Sequence, residues 1–145
     1  ETLAYHAHIS HAGPGHDTIS EGTVKISLPD GSVRHTVSDG NGPVDALNNA
    51  LRKALEDIYP ELHEMKLEDY KVRILDGKQA TRAKTRVLIE SSDRSGVWNT
   101  VGVSENIITA SYLALVDSIA YKLMRARGQD GQPVSRAAAI AASAD

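Results

Sequence analysis

The chain has 145 residues, an unremarkable apolar (41%) and charged (24%) content, a formal net charge of −3 and no cysteine. That fits one globular domain with a core of its own and excludes a disulfide scaffold, a thiolate nucleophile, a thiolate zinc site and an iron–sulfur cluster. The slightly acidic balance does not suit a nucleic-acid partner, and neither an 18-residue apolar run nor a secretory h-region is legible, so the expectation is a cytoplasmic chain that binds no membrane.

Phe is absent, leaving one Trp and five Tyr, so the core must be aliphatic. The first residue is Glu1 rather than Met, which reads as a piece of a longer protein. Leu3 to Ser10 reads as a strand, followed by a loop of Gly, Pro and His. Thr23 to Leu28 alternates polar and apolar residues, the period of a half-buried strand. Pro29-Asp30-Gly31-Ser32 carries turn chemistry, and Val33, His35 and Val37 continue the alternation in a return strand. Gly40-Asn41-Gly42 breaks it, and Pro43 opens a helix where its missing N–H costs nothing. Leu47, Ala50, Leu51, Ala54, Leu55 and Ile58 form the helix's apolar stripe. Asp45, Asn48, Asn49, Arg52, Lys53, Glu56 and Asp57 fill the other face, and Tyr59-Pro60 ends the helix.

The second half repeats this order. Tyr70, Val72 and Ile74 alternate in a strand broken by Asp76-Gly77. Thr85 to Glu90 and Val97 to Val103 form a hairpin around a Ser91–Gly96 loop, and Ser104 is the expected N-cap of a helix reaching about Leu123. Tyr5 and Tyr70 fall at matching places, as do His35-Thr36-Val37 and Asn99-Thr100-Val101. The predicted fold is therefore α+β: a strand–hairpin–helix unit (βββα) used twice, at about 1–60 and 66–124. The units would be related by a pseudo-twofold axis, with the helices packed on the sheets, inside one domain over 1–127. The second helix is apolar nearly all round, which predicts a second cover and hence a homodimer. Residues 128–145 read as a flexible tail.

Four candidate chemistries follow from residue types. His6, His8, His11 and His16 crowd the N-terminal stretch, and His6 and His8 share a strand face, a spacing able to hold a divalent metal. No carboxylate stands near enough in sequence to complete such a site, so no metal is assigned. Ser92 beside Asp93 suggests a nucleophile, but the pair sits in a predicted hairpin loop and no Gly-x-Ser-x-Gly elbow exists. Gly40-Asn41-Gly42-Pro43 leads into a helix N-terminus, where N–H groups and the helix dipole favour an anion. It matches neither nucleotide fingerprint, so a carboxylate is the better guest. Lys71, Arg73, Lys78, Arg82, Lys84 and Arg86 form a basic run, but acidic neighbours and few aromatics make it a solvated strand face. The residues alone therefore describe a binding or regulatory module, with no catalytic residue and no cofactor.

Gly40-Asn41-Gly42-Pro43-Val44-Asp45-Ala46-Leu47 resembles the segment opening the C-terminal regulatory domain of 2-isopropylmalate and citramalate synthases. Asp69-Tyr70-Lys71-Val72-Arg73-Ile74-Leu75 and Thr100-Val101-Gly102-Val103-Ser104-Glu105-Asn106-Ile107-Ile108 resemble two further motifs of that family, in the same order, within residues 1 to about 124. Arg86 to Asp93, with Val103-Ser104-Glu105-Asn106, resembles the citramalate branch more closely. The resemblance implies an allosteric domain, dimeric and built of duplicated units, that binds a pathway end product near the dimer interface. Isoleucine is the implied effector for the citramalate branch and leucine for the isopropylmalate branch. The implied chemistry, condensation of acetyl-CoA with an α-keto acid, belongs to a separate TIM barrel holding a divalent metal. The chain alone is thus expected to be no enzyme but part of an acyltransferase under feedback inhibition in branched-chain amino-acid biosynthesis. Carried over by motif, the effector contacts are Val44, Asp45, Leu67, Tyr70, Ile74, Thr81 and Ala83. Asp45 departs from the family's usual small residue and either meets the effector's ammonium or faces solvent. A dimerisation module without an effector is the remaining alternative.

Overall fold

The structure, a computed structural model, describes residues 1–11, 13–75 and 83–127. Two units are present, one running from Glu1 to Ile58 and the other beginning at Tyr59. The first contains β1 (Thr2–His11), β2 (Thr18–Ser27), β3 (Val33–Gly40) and α1 (Pro43–Leu55). The second opens with a short 3-10 turn (Pro60–Glu64) and then contains β4 (Lys66–Leu75), β5 (Lys84–Asp93), β6 (Gly96–Ser104) and α2 (Ile107–Ala126). Each sheet is antiparallel with its strands in chain order, and one helix packs on one face of each sheet. The fold is the expected α+β pair of βββα units.

Period-2 patterning explains the sheets. In β2 the buried side is Ser20, Gly22, Val24 and Ile26, and the intervening residues turn outward. The stripe of α1 supplies the facing layer, with Ala46, Leu47, Ala50, Leu51 and Ala54 almost wholly buried. The helices sit unusually close to their strands. A Cβ on Gly40 would fall on the backbone of Ala46, and one on Gly102 would fall on the Ala110 carbonyl.

The duplication extends to register and single bonds. Tyr5, Val24 and Thr36 lie in one cross-strand row, and Tyr70, Ile89 and Thr100 lie in the matching row. Thr36 Oγ1 donates to the Ala50 carbonyl at 2.7 Å, and Thr100 Oγ1 to the Ala114 carbonyl at 2.8 Å, with the same sequence separation. Register shifts occur between Thr2 and Ala4 and between Leu67 and Asp69, so both first strands carry a bulge at the same place. Both hairpins turn on an Asp-x-Ser: Asp30 accepts from the Ser32 N–H and hydroxyl, and Asp93 from those of Ser95.

Several local expectations are corrected. The helix α1 stops at Leu55, and Ile58 is 37% exposed rather than part of the stripe. Pro60 disfavours helical backbone at Tyr59, and the chain leaves the helix a turn earlier than the periodicity suggests. Asn48, assigned to the polar face, is buried. Ser91, Ser92 and Asp93 belong to β5 rather than a loop, because Asp93 itself caps a tight turn at Arg94-Ser95. The N-cap of α2 is Asn106, whose side chain accepts from the N–H groups of Ile108 and Thr109, while Ser104 accepts from Asn106 N–H. Tyr70, Val72 and Ile74 do alternate in a strand, β4, where Val72 and Ile74 are 42% and 66% exposed. The predicted tail (128–145) lies outside the described residues.

By length and composition α2 would suffice to cross a membrane, contrary to the sequence reading. Its inner face is buried against β5 and β6 and carries Ser111, Ser118 and Lys122, all with polar partners in their own unit. It is a core helix.

Candidate functional site

Cross-strand partners in an antiparallel pair point to the same side of the sheet. Leu67 pairs with Ser91, Tyr70 with Ile89 and Val72 with Val87, and those three β5 residues are wholly buried. Leu67, Tyr70, Val72 and, one step further, Ile74 (opposite Thr85) therefore share the side of β4 that faces the helix layer. The bulge at Glu68 makes this possible: without it, Leu67 and Tyr70, three residues apart, would point to opposite faces. Because α2 packs on β6 and β5, the far end of β4 is left as an open apolar face at Val72 and Ile74. Ala83 is half-buried, just ahead of β5. Thr81 lies outside the described residues.

The Tyr70 side chain is fixed at its tip. Its hydroxyl lies 3.0 Å from Ser111 Oγ on α2, and Ser111 Oγ donates its proton to the Ile107 carbonyl at 2.7 Å. A serine has one hydroxyl proton, so Tyr70 is the donor in the bond between them.

In the other unit, Val44 and Asp45 are half-buried in the first turn of α1. The helix has no side-chain N-cap. It opens on Gly42 at φ 152°, a conformation that favours glycine. Asp45 Oδ2 reaches back to accept from the Asn41 N–H at 2.9 Å, an acid placed favourably at the positive end of the helix dipole. The carboxylate thus already occupies the anion-favouring end of α1, so the nearest complement for an incoming ligand is a cation.

A second polar region went unseen in the sequence. Asp93 Oδ2 meets Lys122 Nζ at 2.6 Å, with the two side chains 2% and 8% exposed. Burial pushes the Asp93 carboxyl up, but the Lys122 ammonium together with the Ser95 hydroxyl and N–H outweighs it. The group is held well below the usual carboxylate range. Glu64 lies 3.7 Å from the same ammonium and 3.5 Å from Arg94. Beside this pair runs an open groove of about 500 Å³ lined by His63, Glu64, Lys66, Glu68, Ser92, Asp93 and Arg94. Behind it, the wholly buried Ser91 and Ser118 hydroxyls sit 2.6 Å apart, and Trp98 Nε1 donates to Ser118 at 3.1 Å. Ser92 donates to Glu68 and Asp93 is engaged with Lys122 and Ser95, so the pair is not set up for nucleophilic chemistry. Among the described residues no group of three or more His, Asp and Glu is placed to hold a metal; His6 lies opposite Thr23 and His8 opposite Glu21.

Two copies of a βββα unit, with polar side chains tied up in structural bonds and an open apolar strand face, define a small module of the regulatory and assembly type. The chain belongs to the LeuA allosteric (dimerisation) domain family, which it matches over residues 5–123. It is 55% identical over 113 residues to the (R)-citramalate synthase of Geobacter sulfurreducens, covering 78% of this chain and 21% of that protein. It is 59% identical over 106 residues to the (R)-citramalate synthase of Aquifex aeolicus, covering 73% and 20%. The 2-isopropylmalate synthase of Aquifex aeolicus is more distant, at 35% over 111 residues, covering 77% and 20%. The chain spans about a fifth of the length of these relatives.

Proposed function

We propose that this chain is the amino-acid-sensing part of an acetyl-CoA-dependent (R)-citramalate synthase. In this reading it binds isoleucine as the feedback inhibitor of branched-chain amino-acid biosynthesis, as a homodimer in the cytoplasm. The condensation itself would lie on another part of the longer protein, a barrel with its own divalent metal, and the chain alone would have no turnover. The observation that carries the reading is the bulge-aligned face of β4: Leu67, Tyr70, Val72 and Ile74 in one row offer a branched aliphatic side chain an apolar wall that includes an aromatic ring. Ala83 and Thr81 extend the proposed contacts. Val44 and Asp45 are the other proposed contacts, carried over by motif, and the Asp45 carboxylate suits an effector's ammonium. The higher identity to citramalate synthases favours isoleucine; the 35% match to a 2-isopropylmalate synthase keeps leucine as the second reading.

An effector regulates only by binding two states of the protein unequally, and the proposed states are two packings of the dimer. Calorimetric titration of the chain with isoleucine, leucine and valine tests the reading. Saturable binding with isoleucine strongest is expected. The reverse order would make the parent an isopropylmalate synthase, and no saturable binding would leave dimerisation as the function. At 100 times its dissociation constant the ligand should add about 2.7 kcal/mol of apparent stability.

A further inference from the structure

The register that superposes the two units also shows where they part. Thr36 with Ala50 and Thr100 with Ala114 are equivalent, so Leu47 of α1 corresponds to Ser111 of α2. Both side chains are wholly buried. A buried helix position filled by leucine in one copy holds a hydroxyl in the other, at the cost of desolvating a polar group. Ser111 meets that cost with two bonds, its own proton going to the Ile107 carbonyl and its oxygen receiving the Tyr70 hydroxyl. Leucine at the matching place cannot hold a tyrosine hydroxyl.

We infer that Ser111 is a positioning residue for ligand selectivity: by anchoring the Tyr70 hydroxyl it fixes the set of the ring on the side of β4 that it shares with Val72 and Ile74, and so the room left there for a branched side chain. This rests on the reading that Tyr70 lines the effector site. The geometry is specific. Ser111 sits on the first turns of α2, which begins at Ile107, and the serine's bond to Ile107 ties its rotamer to the helix backbone. The ring therefore moves only if that turn moves or the bond breaks. Isoleucine branches at Cβ and leucine at Cγ, so a ring released to tilt changes the fit of the two unequally.

The test is calorimetric titration of wild-type chain, Ser111→Ala, Ser111→Thr, Tyr70→Phe and the Ser111→Ala/Tyr70→Phe pair with isoleucine and leucine, each variant checked for fold by circular dichroism. Ser111→Ala is expected to change the isoleucine-to-leucine ratio of dissociation constants by roughly two- to ten-fold, the worth of one neutral hydrogen bond. Tyr70→Phe should change it by the same factor, and the double variant no further, because both remove one bond. Ser111→Thr, which keeps the hydroxyl, should restore most of the wild-type ratio. Normal wild-type binding with an unchanged ratio in Ser111→Ala, or independent multiplying effects in the double variant, overturns the inference while leaving the effector reading intact. No binding by wild-type chain overturns both.

Discussion

Replacing Lys122 by Met should destabilise the second unit by about 3–5 kcal/mol, the cost of breaking a buried ion pair from one side. The magnitude rests on geometry: Lys122 Nζ and Asp93 Oδ2 are 2.6 Å apart with side chains 8% and 2% exposed, whereas an exposed pair is worth only about 0–1 kcal/mol. Met retains most of the lysine stem's volume, so the loss is the charge and its bonds. Ser95 still donates to Asp93 through its N–H and hydroxyl, which places the expected value toward the lower end, about 3 kcal/mol. Urea unfolding followed by fluorescence reads this unit directly, because the chain's one tryptophan is Trp98 of β6. With a urea slope of about 2 kcal/mol/M, the midpoint should fall by about 1.5 M at unchanged slope. The pH dependence gives a second readout. The Asp93 carboxyl lies below its ordinary 3.8 in the folded chain, so its stabilisation is fully present above that value and is lost as pH falls toward the lowered folded value. In Lys122→Met this acid limb should flatten, and adding Asp93→Asn should recover part of the loss. A neutral-pH loss under about 1 kcal/mol would refute the reasoning, since only a solvent-exposed pair behaves so.

Two further outcomes are expected. Ser118→Ala leaves the Ser91 hydroxyl and the Trp98 N–H without their shared partner, which should cost about 1–3 kcal/mol in urea melts and shift the Trp98 emission. Gly102→Ala puts a methyl group onto the Ala110 carbonyl and should cost about 3 kcal/mol by thermal or urea unfolding, well beyond the usual glycine-to-alanine change.

Much of the architecture was legible because both units obey simple periods. Alternation in β2, the stripe of α1 and the Pro43 helix start are local patterns, and the repeated His35-Thr36-Val37 and Asn99-Thr100-Val101 segments announced the duplication. The structure shows the physical reason for that echo: both threonines cap a carbonyl of the helix above them. What escaped was non-local. Whether Asp93 is a loop residue or a buried anion depends on Lys122, 29 residues on, and Ser91 is a core residue only because Ser118 meets it. Arg34 pairs with Asp57 at 3.0 Å, while at the matching places of the second unit the Trp98 and Tyr121 rings meet at a tilt, their centres 5.5 Å apart. One scaffold position thus accepts either chemistry, and the pattern of apolar residues cannot foretell which.

For the candidate site, the sequence supplied residue identities through motif resemblance, although strand parity alone sets Leu67 and Tyr70, three residues apart, on opposite faces. The bulge at Glu68 reconciles them, and its one sequence-level hint is the apolar Leu67 standing out of phase with Tyr70, Val72 and Ile74. The exposure of Val72 and Ile74 was equally hidden, since an alternating strand does not say how far its covering helix reaches.

The most direct test of the effector site is amide chemical-shift mapping of the chain on titration with isoleucine. The account predicts saturable changes gathered at Leu67, Tyr70, Ile74 and Ala83 and at Val44 and Asp45, with leucine weaker at the same amides. Changes confined to the polar groove around His63, Glu68 and Arg94, or none at saturating isoleucine, would contradict it.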